Sequence, residues 1–190
     1  YLDIYTDASN KICSNCYWLG AGTFVEETNN GALEGIKDYA YNYSITGYWG
    51  GIGINIANWD VTKATNFSEY DSIELSYKGP ASDVTVQLAL TDASNANSSA
   101  VSLTPSATYK TVRFAISQFT GNDISKIVGL QINMSGVASG TGTMRIDNIR
   151  LVQAGSVITE DAADYIFQQK YLAYPNPFSQ EFILNISSPE

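Results

Sequence analysis

Val128-Gly129-Leu130-Gln131-Ile132-Asn133-Met134 carries an apolar side chain at every second position, with glycine or an amide between. Successive side chains of a strand point to opposite faces, so this segment buries Val128, Leu130, Ile132 and Met134 and turns Gln131 and Asn133 to water. Upstream, the same period runs through Ile52, Ile54 and Ile56 against Gly51, Gly53 and Asn55. It recurs in Val84, Val86, Leu88 and Leu90 against Thr85, Gln87, Ala89 and Thr91, and in Val112, Phe114 and Ile116 against Arg113 and Ala115. Downstream it continues in Met144 and Ile146, changes phase, and resumes at Ile149 and Leu151. Turn-forming clusters separate the runs, among them Lys78-Gly79-Pro80 and Asp92-Ala93-Ser94-Asn95. Eight or nine strands before residue 153, with no long helical pattern, predict an all-β fold: a two-sheet antiparallel β-sandwich, or jelly roll.

The period ends at Val152, so residues 1–152 form the sandwich module. Residues 153–170 lack a strand period, carry acids at Glu160, Asp161 and Asp164, and are expected to be a linker. Residues 171–190 open extended at Tyr174-Pro175-Asn176-Pro177-Phe178 and end in one alternating strand, Phe182-Ile183-Leu184-Asn185-Ile186. No window approaches the roughly 18 apolar residues of a membrane helix, so membrane insertion is not expected. The chain is expected to be an excerpt of a longer exported precursor, with a removed signal peptide upstream.

Composition narrows the function. Of 190 residues, 44% are hydrophobic but only 15% are charged, and the net charge is −9. A domain of about 150 residues buries roughly 68–70% of its unfolded surface, enough for a core without metals or disulfides. With no cationic cluster to offset the net charge, nucleic acid is not expected as a partner. The absence of histidine removes Ser–His and Cys–His nucleophile schemes. A glycosidase needs two carboxylates across a groove; Glu69-Tyr70-Asp71-Ser72-Ile73-Glu74 has the E-x-D-x-x-E spacing, but it lies at a strand entry rather than midway along a polar groove face. No phosphate-binding loop is present. The chain is therefore read as non-catalytic. Cys13-Ser14-Asn15-Cys16 is half a zinc site or a redox pair without its βαβ setting, and a short disulfide between Cys13 and Cys16 is the plain reading.

Sugars offer flat CH faces and many hydroxyls, which rings and amides recognise. The chain holds 13 Tyr and 3 Trp against 7 Phe. Gln87, Arg113, Gln131 and Asn133 fall on the polar phase of their strands and would line one groove if those strands were neighbours. Trp18, Tyr48 and Trp49 stand at strand ends that would border it. Tyr39, Tyr41 and Tyr43, which share one phase, are an alternative ring stripe. These seven groove residues form the candidate polysaccharide site; the competing reading is a structural or adhesive surface module.

Ile4-Tyr5-Thr6-Asp7, Trp18, Glu34-Gly35, Tyr48-Trp49-Gly50-Gly51, Phe67-Ser68-Glu69-Tyr70-Asp71-Ser72-Ile73 and Arg145-Ile146-Asp147-Asn148-Ile149 occur in an order that resembles calcium-containing jelly-roll carbohydrate-binding modules, the galactose-binding-like families 4, 11 and 30. The resemblance implies binding of β-glucan or another plant polysaccharide, usually beside a larger glycan-degrading enzyme. It also implies a structural Ca2+ held by Asp7, Glu34 and Asp147. Asp147 independently interrupts an apolar strand, where a charge needs a partner. The Tyr174–Phe178 stretch with the strand after it resembles the start of the C-terminal sorting domain of type IX secretion substrates. That implies contact with the secretion machinery and a secreted or cell-surface location.

Overall fold

The alternating segments pair into two antiparallel sheets. The computed structural model describes residues 1–13, 17–20, 22–45, 47, 49–58, 60–80, 84–135 and 140–153; of residues 17–19 only the backbone is described. Twelve strands run through them: β1 (Leu2–Thr6), β2 (Ser9–Asn10), β3 (Tyr17–Gly20), β4 (Gly22–Thr28), β5 (Lys37–Ile45), β6 (Trp49–Asn55), β7 (Ser72–Gly79), β8 (Thr85–Asp92), β9 (Val101–Leu103), β10 (Ser106–Ala115), β11 (Ile127–Ser135) and β12 (Gly140–Val152). The excess over eight or nine comes partly from β2 and β9, which are too short to display a period. No helix among the described residues is long and apolar enough to cross a membrane. The chain divides into a compact unit Tyr1–Ala154 and a second unit Gly155–Glu190, and the second unit lies outside the described residues. The expected sorting segment and most of the expected linker fall there.

The five-stranded sheet has the order β3-β6-β11-β8-β9. In the seven-stranded sheet, β12 is the spine. It pairs with β7 on one side, while β5 and then β1 share its other side. The phase change read after Ile146 is a real irregularity: Asn148 has φ +47° and the register shifts between Asp147 and Arg150. The extra residue lets Met144, Ile146, Ile149 and Leu151 all face inward. They meet Ile52, Ile54, Leu88, Leu90, Leu130 and Ile132 of the other sheet in one core. Each such aliphatic side chain contributes about 1.5–3 kcal/mol by leaving water.

The tyrosine stripe of β5 belongs to this core. Tyr39, Tyr41 and Tyr43 are 4%, 0% and 5% exposed, which removes them as a surface platform. Period two located them on one face correctly, but tyrosine's polarity does not reveal which face is wet. The buried hydroxyls of Tyr39 and Tyr41 are hydrogen-bonded, Tyr39 receiving Asn10 Nδ2 at 3.1 Å.

Candidate functional site

Sheet pairing assembles one face from four strands. Across the outer face of the five-stranded sheet, Gln131 lies between Gly53 and Ala89, and Asn133 between Gly51 and Gln87. Ser102 of β9 continues the second row beyond Gln87. One register step further, Ser135 lies between Trp49 and Thr85. Gln87, Gln131 and Asn133 are half-buried, with their tips reachable from solvent, and Trp49 is 47% exposed.

Small residues let these side chains lie flat. Gly20 has no Cβ; one placed there would sit 2.5 Å from Cζ3 of Trp49, so the indole rests on the bare backbone of β3. A Cβ on Gly51 would lie 3.3 Å from Asn133 Oδ1, so that amide leans over β6. Gln131 leans the other way, where Ala89 offers only a methyl, and its Nε2 donates to Asn97 Oδ1 at 2.9 Å. Thr91 Oγ1 donates to the same Asn97 oxygen at 2.9 Å. The side chains of Gln87 and Asn133 have no hydrogen bond to another described residue, which leaves their donors and acceptors to solvent or a ligand. The five strands carry a single charged residue, Asp92, and it is buried.

Arg113 is not part of this face. It lies on β10 in the seven-stranded sheet, opposite Glu74, and its Nη2 reaches Glu74 Oε2 at 2.6 Å. Its phase was legible, but strand neighbours are set by topology, which a period does not encode. Arg145, on the same sheet, holds Asp38 at 2.7 Å and Glu27 at 3.0 Å. Backbone pairing sets Trp18 opposite Gly53, beside the row of Gln131, but its side chain lies outside the described set. Tyr48 and Cys16 also lie outside the described residues. Cys13 is disulfide-bonded. Asn97 and Gly20 went unread in the sequence, because a loop amide and a strand glycine carry no periodic signal.

The three acids read as calcium ligands meet at the 33–37 loop. Asp147 Oδ2 accepts from the amides of Leu33 (2.9 Å) and Glu34 (3.0 Å), while Asp7 accepts from those of Ile36 (2.7 Å) and Lys37 (3.1 Å). Glu34 Oε2 receives the Asp7 amide at 3.3 Å, and its Oε1 faces Arg150. The oxygens therefore engage amides rather than ringing one point, and no metal-sized group of three such side chains occurs among the described residues. Their chemistry nevertheless suits a hard cation. Asp147 is fully buried, which raises its pKa against the pull of three amides, and none of those hydrogen-bond donors is a basic side chain. The buried Tyr5 hydroxyl has no hydrogen-bond partner among the described residues; desolvation first, then the charges of Glu26, Asp147 and Asp7, lift it above the tyrosine range.

Comparison with known proteins adds fold-level context. No family model and no curated protein matches the chain. Among solved structures, it is similar to the family 30 carbohydrate-binding module of a cellulosomal cellulase of Clostridium thermocellum, with TM-score 0.62 and 15% identity over 82% of this chain and 98% of that one. A family 11 carbohydrate-binding module from the same organism, in complex with a β-1,3-1,4-mixed-linked tetrasaccharide, aligns at TM-score 0.52 and 16% identity over 73% of this chain and 88% of that one. An exo-β-agarase aligns at TM-score 0.61 and 14% identity, over 80% of this chain but only 25% of its own length. At such identities the likeness is one of fold, and the fold shared with the two binding modules is the jelly roll.

Proposed function

We propose that this protein binds an uncharged polysaccharide, without cleaving it, on the outer face of its five-stranded sheet. The observation that carries the reading is the convergence of Gln87, Gln131, Asn133 and the flat, half-exposed Trp49 on one face without an exposed charge among its described strand residues. The indole supplies an apolar platform for a sugar's CH face, and the amides supply donors and acceptors for its hydroxyls. The fold shared with a module bound to a β-1,3-1,4-linked tetrasaccharide makes a β-glucan or another plant polysaccharide the class to try first. Attachment to a larger glycan-degrading enzyme, and export to the medium or cell surface through a type IX sorting segment beginning near residue 171, belong to the same proposal. So does a structural calcium at Asp7, Glu34 and Asp147. It would take over lone pairs now given to amides and offset the buried charge of Asp147; the orphaned Tyr5 hydroxyl supports it.

Affinity electrophoresis in native gels containing soluble mixed-linkage β-glucan tests the binding reading. Trp49→Ala is expected to weaken retardation about tenfold or more, equivalent to about 1.4 kcal/mol, with the circular dichroism spectrum unchanged. Gln131→Ala combined with Asn133→Ala is expected to act in the same direction. Unaltered migration of both variants on a glycan that retards the parent would remove this face from the reading. A protein retarded by no polysaccharide would favour the structural or adhesive alternative.

A further inference from the structure

We infer that Tyr41, from the opposite sheet, is a positioning residue that sets the seat of Trp49 on the binding face, an inference that rests on the carbohydrate-binding reading above. Gly20 of β3 and Gly51 of β6 are direct partners in the five-stranded sheet. The Tyr41 side chain crosses the core from β5, and its hydroxyl engages both partners. It donates to the carbonyl of Gly20 and accepts the amide of Gly51 at 3.0 Å. Room for the ring depends on two further glycines. A Cβ on Gly22 would lie 2.8 Å from Tyr41 Cε2, and one on Gly50 would lie 3.3 Å from the hydroxyl. On the far side of the same backbone, the indole of Trp49 lies against Gly20. Phenol, glycine backbone and indole thus form a stack through the thickness of the sheet.

Tyr41 itself is 0% exposed and touches no ligand surface. Its effect runs through the Gly20 backbone. Removing the hydroxyl takes one hydrogen-bond partner from a carbonyl and an amide directly beneath the platform, and buried backbone groups do not lose partners without rearrangement. The strand ends then shift or admit water, and the indole loses its fixed support. A preorganised ring binds more tightly than one ordered at the moment of binding.

The test uses the full chain and the variants Tyr41→Phe, Tyr77→Phe and Gly20→Ala. Tyr77 is the control: equally buried, with its hydroxyl donating to Thr104 O at 2.5 Å, on strand β7 of the same seven-stranded sheet as Tyr41. Two quantities are measured: the dissociation constant for mixed-linkage β-glucan, and acrylamide quenching of the emission due to Trp49, obtained by subtracting the same variant carrying Trp49→Phe. The quenching needs no ligand. Tyr41→Phe is expected to weaken binding about five- to tenfold and to make Trp49 more quenchable. Tyr77→Phe is expected to lower thermal stability comparably while leaving both readouts unchanged. Gly20→Ala, which lifts the ring by direct contact, is expected to reproduce the binding loss without touching any hydroxyl. The inference is overturned if Tyr41→Phe leaves quenching at the parent value, or if Tyr77→Phe weakens binding equally. If Trp49→Ala binds as the parent does, the carbohydrate reading of this face fails instead, whatever Tyr41→Phe does.

Discussion

At Asp92, loop chemistry outweighs burial. The residue ends β8 and is 2% exposed. Desolvation would raise its pKa, but the Asp123 amide, the Ser94 hydroxyl and amide, and the Ala96 amide all donate to it and pull it down to about 2. A carboxyl depressed in the folded state stabilises that state above the unfolded pKa, and the contribution is lost as pH falls toward the folded value. From the ordinary aspartate value of 3.8, Asp92 therefore contributes about 2 kcal/mol at neutral pH, lost between about pH 4 and pH 2. Asp92→Asn should lower stability in urea titrations at pH 7, and the gap to the parent should narrow as pH drops through that window. A constant gap would mean the loop is held by something other than this charge. The sequence showed Asp92 only as a turn residue, because the Asp123 amide arrives from 31 positions away.

At the scale of elements, β12 shows both what periodicity reveals and where it stops. The phase slip between Ile146 and Ile149 was readable as a break in alternation, and the left-handed Asn148 explains it. Asp147, on the slip, was readable as a charge in an apolar strand. Its contacts with the 33–37 loop, more than a hundred residues back, were not. The proposed calcium would tie β1, this loop and β12, so its effect is expected on the stability of the joined elements. Calcium in about hundredfold excess over its dissociation constant adds about 2.7 kcal/mol, and a chelator should lower the melting temperature by several degrees. Asp147→Asn should abolish that chelator response. An identical melting temperature with and without chelator in the parent would count decisively against the metal.

Across the whole molecule, charge is partitioned between the sheets. The seven-stranded sheet carries Asp3, Glu26, Glu27, Lys37, Asp38, Glu74, Lys78, Lys110, Arg113, Arg145, Asp147 and Arg150, many of them in ion pairs, whereas the five-stranded sheet has only buried Asp92. Binding on the uncharged face should therefore be insensitive to ionic strength. The affinity for a neutral glucan is expected to change less than about twofold between about 50 mM and about 500 mM NaCl, conditions under which surface electrostatics are strongly screened. A steep salt slope in isothermal titration would place the ligand on the other sheet. The sequence assigned the inward and outward faces of Gln87, Gln131 and Asn133, and it assigned Arg113 its phase with equal success. It did not say that β10 and β11, eleven residues apart, join different sheets. That allocation follows from long-range pairing, to which local alternation is blind.

The place of β12 also governs when this domain can exist. Its first half completes β5, its second half completes β1, and its opposite edge completes β7, yet it is the last of the described strands to be synthesised. Until residue 152 has emerged, three earlier segments present bare edges, and nascent chains of that kind invite intermolecular pairing. The seven-stranded sheet thus cannot close until translation of the domain is nearly finished.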